Sequence, residues 1–252
     1  FTSKMLVFLT INFTIYEGAK VMEKKIEFTM ILNQFDEEVM NSFPQKLVSV
    51  KKSFFGSKIV VQNESTHLET ESFNFVKEKG QKDFLQSSVL VDYENPLIKE
   101  CYKNLKLEEM NNLEAIKTAL QFVKTTIQFD MDLAKEIGSG KSSGRCASKT
   151  LELKKGTCGE CVNLFAALMR LKSIPCKFIT GLCLSLTNNR HSLHAWAEVY
   201  DEILGWVPVC PQSGCFGVPR FFVKTHQGID FDDTGAKFSK LLFKLKGFRE
   251  IE

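Results

Sequence analysis

The sequence predicts an α+β protein, and three observations carry that expectation. Residues 21–92 hold short alternating runs with polar turns between them, the pattern of half-buried strands. The apolar period then changes from two to steps of three and four. From Gly156 onward, a nearly all-apolar helical stretch is followed by three strand-like runs. The first segment reads as a β-rich N-terminal domain, residues 1–92, and the remainder, residues 93–252, as a second domain of mixed structure. With 252 residues the chain is long enough to bury a sizeable core.

Within the N-terminal segment, Val21–Leu32 ends in partial alternation, Thr66–Val76 alternates more cleanly, and Phe84–Val91 follows. Short strands of this kind suggest a small antiparallel sandwich. His67 falls among them and is expected on the surface. Tyr93-Glu-Asn-Pro96 punctuates the change of period, since proline disfavours helical backbone at the residue before it. Leu113, Ile116, Leu120, Val123 and Ile127 then mark an amphipathic helix, with Asn111 and Asn112 as candidate N-caps. Gly138–Arg145 reads as a flexible loop. It contains Gly-Lys-Ser, but Lys135 stands where a phosphate-binding loop needs its first glycine, which excludes that nucleotide motif. Residues 156–172 form a second, central helix stopped by Pro175. Strands are expected at Cys176–Leu184, Leu193–Tyr200 and Gly205–Val209, and the tail Phe238–Glu252 is expected as a last strand or a docked helix.

Composition narrows the function classes. Hydrophobic residues make up 44% and charged residues 25%, which excludes a disordered, collagen-like or coiled-coil chain. The net charge of +3 is small and spread along the chain, so no nucleic-acid partner is expected. Met5–Tyr16, behind Lys4, is apolar but too short to span a bilayer, and no small-residue cleavage site follows it. It reads as a strand or a leader. Eight cysteines (101, 146, 158, 161, 176, 183, 210 and 215) lie mostly inside apolar runs, which favours buried thiols in a reducing compartment over a disulfide scaffold. A cytoplasmic location follows, with secretion as the alternative if the apolar N-terminus is a signal remnant.

A nucleophilic cysteine needs a favoured thiolate, a base within reach, and a partner that holds the base in the right tautomer. Gly156-Thr-Cys158 places a thiol at the first turn of the central helix, where unpaired N–H groups and the helix dipole favour an anion. Gly156 permits a tight turn before it. His194 opens His-Ala-Trp-Ala-Glu-Val-Tyr200, a strand with one apolar face, and could face that helix as the base. Glu198 on the same strand is expected to be solvated or paired with Arg170.

Gly156-Thr-Cys158-Gly-Glu-Cys-Val-Asn-Leu-Phe-Ala-Ala-Leu-Met-Arg170, Ile174-Pro-Cys-Lys-Phe-Ile-Thr-Gly181, His194-Ala-Trp-Ala-Glu-Val-Tyr200 and Gly205-Trp-Val-Pro-Val-Cys-Pro211 together resemble the transglutaminase-like superfamily over roughly residues 95–212. The resemblance implies a papain-like core with Cys158 as nucleophile and His194 as general base, and Trp196 and Trp206 walling the substrate site. It implies a transglutaminase-like cysteine acyltransferase or hydrolase (a cysteine protease or amidase) acting on a protein or peptide, with no cofactor and no bound metal. The family's aspartate falls sixteen residues after its histidine, and here that position is Cys210. Asp201, Glu202, Asp230 and Asp232 are the possible substitutes. Cys210 also keeps open a second reading, a catalytically silent binding module, with Cys158, Cys161, His194, Cys210 and Cys215 as conceivable zinc ligands.

Overall fold

In a computed structural model of the chain, residues 25–64, 81–142, 144–184, 191–237 and 240–251 are described. The expected strand Thr66–Val76, His67 and the apolar run Met5–Tyr16 lie outside these residues.

Two antiparallel sheets and a helical layer make up the described fold. The first sheet joins β1 (Lys25–Leu32), β2 (Gln45–Lys51), β3 (Ser57–Asn63) and the last strand β11 (Phe243–Ile251) in the order β11-β1-β3-β2. The tail is therefore a strand, and it pairs with the N-terminal segment, Leu32 opposite Phe243 and Lys25 opposite Ile251. Alternation is plain in β1, where Ile26, Phe28, Met30 and Leu32 are all fully buried. Those side chains pack with Ile59 and Val61 onto Leu182, Leu184 and Val223 of the second sheet. The facing layer expected within residues 21–92 is thus supplied by the C-terminal half of the chain.

Phe84–Val91, expected as a strand, is a 3-10 turn at Gln81–Leu85 followed by irregular chain. Tertiary contacts override its alternation. Phe84 sits edge-on to Trp206, the Gln86 carbonyl accepts from Arg170, and the Leu90 carbonyl accepts from the Ala147 backbone.

A short helix α1 (Glu37–Met40) follows β1, and α2 (Pro96–Asn104), α3 (Asn112–Thr126), α4 (Met131–Gly138) and α5 (Ala147–Leu153) follow the first sheet. In α3 the Asn111 side chain accepts from the Glu114 backbone while Glu114 accepts from the Asn111 backbone, a reciprocal cap that fixes the helix start. A two-residue parallel pair, β4 (Gln128–Phe129) with β5 (Lys155–Gly156), leads directly into the central helix α6 (Cys158–Leu171). Nearly every side chain of α6 is buried, from Glu160 to Arg170. The second sheet has the order β10-β6-β7-β8-β9, with β6 (Cys176–Leu184), β7 (His191–Asp201), β8 (Gly205–Cys210), β9 (Cys215–Phe216) and β10 (Phe222–Gly228). The three strands expected from Cys176 onward are all present. Ala195, Ala197 and Val199 of β7 join Val162, Phe165 and Ala166 of α6 in the larger core. Residues 194, 196 and 198, by the two-residue period, face the other way.

Candidate active site

The N-terminus of α6 is organised by Glu160. Its Oε2 accepts from the Thr157 backbone N–H at 2.7 Å and from the Thr157 hydroxyl at 2.6 Å, and its Oε1 accepts from the Arg145 backbone at 3.1 Å. This locks the turn that carries Cys158, the first residue of the helix. Glu160 was not among the expected site residues, although Thr157-Cys-Gly-Glu160 carries the Thr-x-x-Glu signal of a helix start. Gly156 serves close approach: a Cβ there would lie 2.5 Å from Glu160 Cβ. Arg145, held 2.8 Å from Asp130, completes the frame.

Cys158 is half-buried, and burial pushes its thiol up to about 12. The Ala195 backbone N–H opposes that shift, Glu160 and Cys210 reinforce it, and the Gly159 N–H opposes it weakly. The thiol therefore sits against the β7 backbone one residue from His194. Burial drives the His194 imidazole the other way, down to about 4. At neutral pH the pair rests as thiol and neutral imidazole.

The partner of the His194 ring is Cys210, with Nε2 3.4 Å from its Sγ. The ring also stacks against Trp196, centroids 6.2 Å apart at 25°, and meets Phe222 edge-on at 4.9 Å. Cys210 is buried. Burial raises its thiol, with Ser213 and Gln212 opposing that shift, and the Ser213 hydroxyl donates to the Cys210 backbone carbonyl at 3.3 Å. A set of donors around residue 210 is what a carboxylate would use, although a thiol occupies the position.

The acidic candidates lie elsewhere. Asp201 closes the turn after β7, accepting from the backbones of Ile203 and Leu204 at 2.9 Å each. It is seven residues along the strand from His194, roughly 23 Å at strand rise. Glu202 is exposed in the same turn. Asp230 accepts from the Asp233 backbone beyond the end of β10, and Asp232 follows it, both at the end of the sheet away from His194.

Trp196 is beside the histidine, but Trp206 is not. Trp206 pairs with Tyr200 across β7 and β8, packs on its ring at 5.4 Å, and receives Lys177 Nζ at 4.1 Å above its face. Glu198 is neither solvated nor paired with Arg170. It is 2% exposed and bridges Lys224 at 2.6 Å and Lys177 at 3.9 Å. Arg170 instead donates to the carbonyls of Gln86, Cys176 and Ile229, tying the end of α6 to three segments. His191 begins β7 and packs on Phe243 at 4.3 Å. His226 lies in β10, with Nδ1 3.0 Å from the Thr225 hydroxyl. Cys161 is buried inside the α6 core. Cys215 stands opposite Cys210 in β9. Among the described residues no three His, Cys, Asp or Glu side chains converge in a metal-holding group.

The profile of the transglutaminase-like superfamily matches residues 100–211, the stretch from α2 through Cys158 and His194 to just past Cys210. This stretch forms a transglutaminase-like core. A search of curated proteins returns no significant match. Among solved structures the chain is similar to a candidate cysteine protease from Cytophaga hutchinsonii, with a TM-score of 0.60 and 16% identity over 91% of this chain and 90% of that one. It also matches the periplasmic domain of TgpA from Pseudomonas aeruginosa, with a TM-score of 0.48 and 16% identity over 75% of this chain and 70% of that one. At such identity the Cytophaga likeness establishes the fold. The transglutaminase-like core supplies a helix-borne cysteine and a strand histidine, and no helix among the described residues is long and apolar enough to cross a membrane.

Proposed function

We propose that the chain is a cysteine acyltransferase or hydrolase of transglutaminase-like kind, working with a Cys158–His194 dyad on a protein or peptide amide. The observation that carries this reading is the 3.4 Å contact of His194 Nε2 with Cys210 Sγ. The residue in the family's third position still fixes the ring through Nε2, which leaves Nδ1 as the base. Cys158 Sγ adds to the amide carbonyl carbon, its proton passes to His194 and then to the leaving amine, and a thioester forms on Cys158. Water or a second amine then takes the acyl group, regenerating the thiol. Because the dyad rests neutral, the thiol proton leaves with the attack and not before it. The sulfur of Cys210 is a weak acceptor for the Nε2 proton, so the imidazolium formed in that step is poorly stabilised and turnover is slow. Eight free thiols suit a reducing, cytoplasmic setting.

The raised Cys158 and lowered His194 favour a second reading, a silent core that binds a partner in the former substrate cleft. Two assays on one preparation separate the readings. Alkylation of Cys158 by iodoacetamide is followed across pH by peptide mass spectrometry, and a glutamine-containing peptide is offered with a biotinylated primary amine. The enzyme reading expects a Cys158-dependent loss of amide, and an alkylation profile that changes in His194→Ala. An unchanged profile in that variant, with neither ammonia nor biotinylated product, would leave only the binding module.

A further inference from the structure

The hairpin joining β2 and β3 carries two exposed aromatic side chains side by side. Phe54 is 95% exposed and Phe55 80% exposed, and their rings meet edge-on at 5.2 Å, so the two form one apolar tip. A solvated aromatic pair at a turn has no packing role in the core. Behind the tip the sheet register sets Lys51 opposite Lys58, Lys58 opposite Ile31, and Ile31 opposite Lys244. Residues directly opposite in antiparallel strands point to one face, so three lysines form a row across the four-stranded sheet. Strand spacing makes that row roughly 14 Å long. All three lysines are exposed, and none forms an ion pair among the described residues. Like charges directly opposite one another oppose sheet formation. Lys52, in the turn itself, is 77% exposed and pairs with Glu37. Leu242 is 48% exposed and continues the apolar tip, lying 3.4 Å from where a Gly56 Cβ would stand.

We propose that this end of the sheet binds an anionic lipid surface, with Phe54 and Phe55 entering the interface and Lys51, Lys58 and Lys244 meeting the headgroups. Aromatic rings partition to the boundary between headgroups and acyl chains, and a lysine row behind them adds attraction to a negative surface. A surface mode needs no spanning helix. A protein groove would offer apolar cover to the two rings, but an acidic plane suits an exposed lysine row with no carboxylate paired to it among the described residues. His191 packs on Phe243, the strand residue beside this end, so the tip and the start of the histidine strand lie at the same end of the molecule.

The test uses the whole chain and sedimentation with phosphatidylcholine vesicles, with and without phosphatidylserine. Binding is expected only with phosphatidylserine, and it is expected to fall with salt. The Phe54→Ser/Phe55→Ser variant is expected to lose about tenfold or more in partitioning, and Lys51→Gln/Lys58→Gln about fivefold per lysine. Unchanged thermal melting and Cys158 alkylation would show that each variant is folded. Three results would overturn the proposal: no binding to anionic vesicles at low salt; equal binding by the Phe54→Ser/Phe55→Ser variant, which would be unspecific adhesion; or a Phe54-dependent dimer that ignores vesicles, which would make a second copy the occupant.

Discussion

His194 and Glu198 lie on the same face of β7, four residues apart, and their surroundings are opposite. Around Glu198 the fold buries three charges together: its carboxylate, 2.6 Å from Lys224 and 3.9 Å from Lys177, with Lys177 over Trp206. Around His194 the described residues supply no charged partner, and the ring meets Trp196, Phe222 and the Cys210 thiol. Roughly 13 Å of strand separates the two. One sheet face therefore tolerates a buried ion cluster where it is built with partners, and neutralises a titratable group where it is not. Among the described residues no carboxylate stands at the histidine end, and the buried carboxylate four residues along the strand is already engaged by two lysines.

The sharpest way to break the contrast is to put a charge where the thiol stands. Cys210→Asp would place a carboxylate beside His194 Nε2, among the donors from Gln212 and Ser213. A neighbouring anion favours the imidazolium and so raises the His194 pKa by roughly 1–3 units from its lowered value. The thiolate of Cys158 gains in turn. Alkylation of Cys158 near neutral pH, and any amide turnover, should increase by roughly two to four orders of magnitude, the reverse of removing the aspartate from a triad. A variant that folds with wild-type reactivity would mean that the ring is not poised to act on Cys158.

The second prediction attacks the charged end. Glu198→Gln keeps the shape of the side chain but leaves two buried ammonium groups facing an amide. Removing one member of a buried ion cluster costs roughly 3–5 kcal/mol. Urea unfolding should show that loss with an unchanged slope, while Cys158 alkylation in the folded protein stays at the wild-type rate. A loss near zero would place solvent in the cluster.

Much of this contrast could be read in the sequence on one side and little on the other. Cys158 and His194 drew notice as candidates through local order, a glycine before a helix start and an alternating strand, and Cys210 only through the sixteen-residue spacing of the family that the sequence resembles. The strands from Cys176 to Cys210 and the α3 and α6 helices were legible for the same reason, each carrying its own period. Glu198 was not, because its partners Lys224 and Lys177 come from β10 and β6, and a charge in an alternating strand reads as solvated unless the neighbouring strands are known. Trp206 has the motif position expected for it but packs with Phe84 from a segment that looked like a strand. The pairing of β11 with β1 joins residues more than two hundred positions apart, a contact no local pattern encodes.

The smallest effect concerns the protonation of the neutral end. The His194 imidazole titrates near 6.5 in the unfolded chain and about 4 in the fold. Between those values the unfolded chain holds a proton that the folded chain refuses, so folding stability falls as pH drops through the window and is constant with respect to this group below it. At about 1.4 kcal/mol per unit the loss is at most about 3.5 kcal/mol. His191 and His226 are also lowered by burial and add to the slope with the same sign, so the quantity to measure is the difference between wild type and His194→Gln. Urea midpoints taken from neutral pH down through the window should converge for the two proteins as the pH falls, because only the wild type loses this term. In Cys210→Asp the same measurement should shrink or change sign, since a carboxylate at that position brings the folded pKa of His194 back toward or above 6.5. Parallel curves for wild type and His194→Gln would show that the imidazole is hydrated, and would make the two ends of the sheet face alike in solvation.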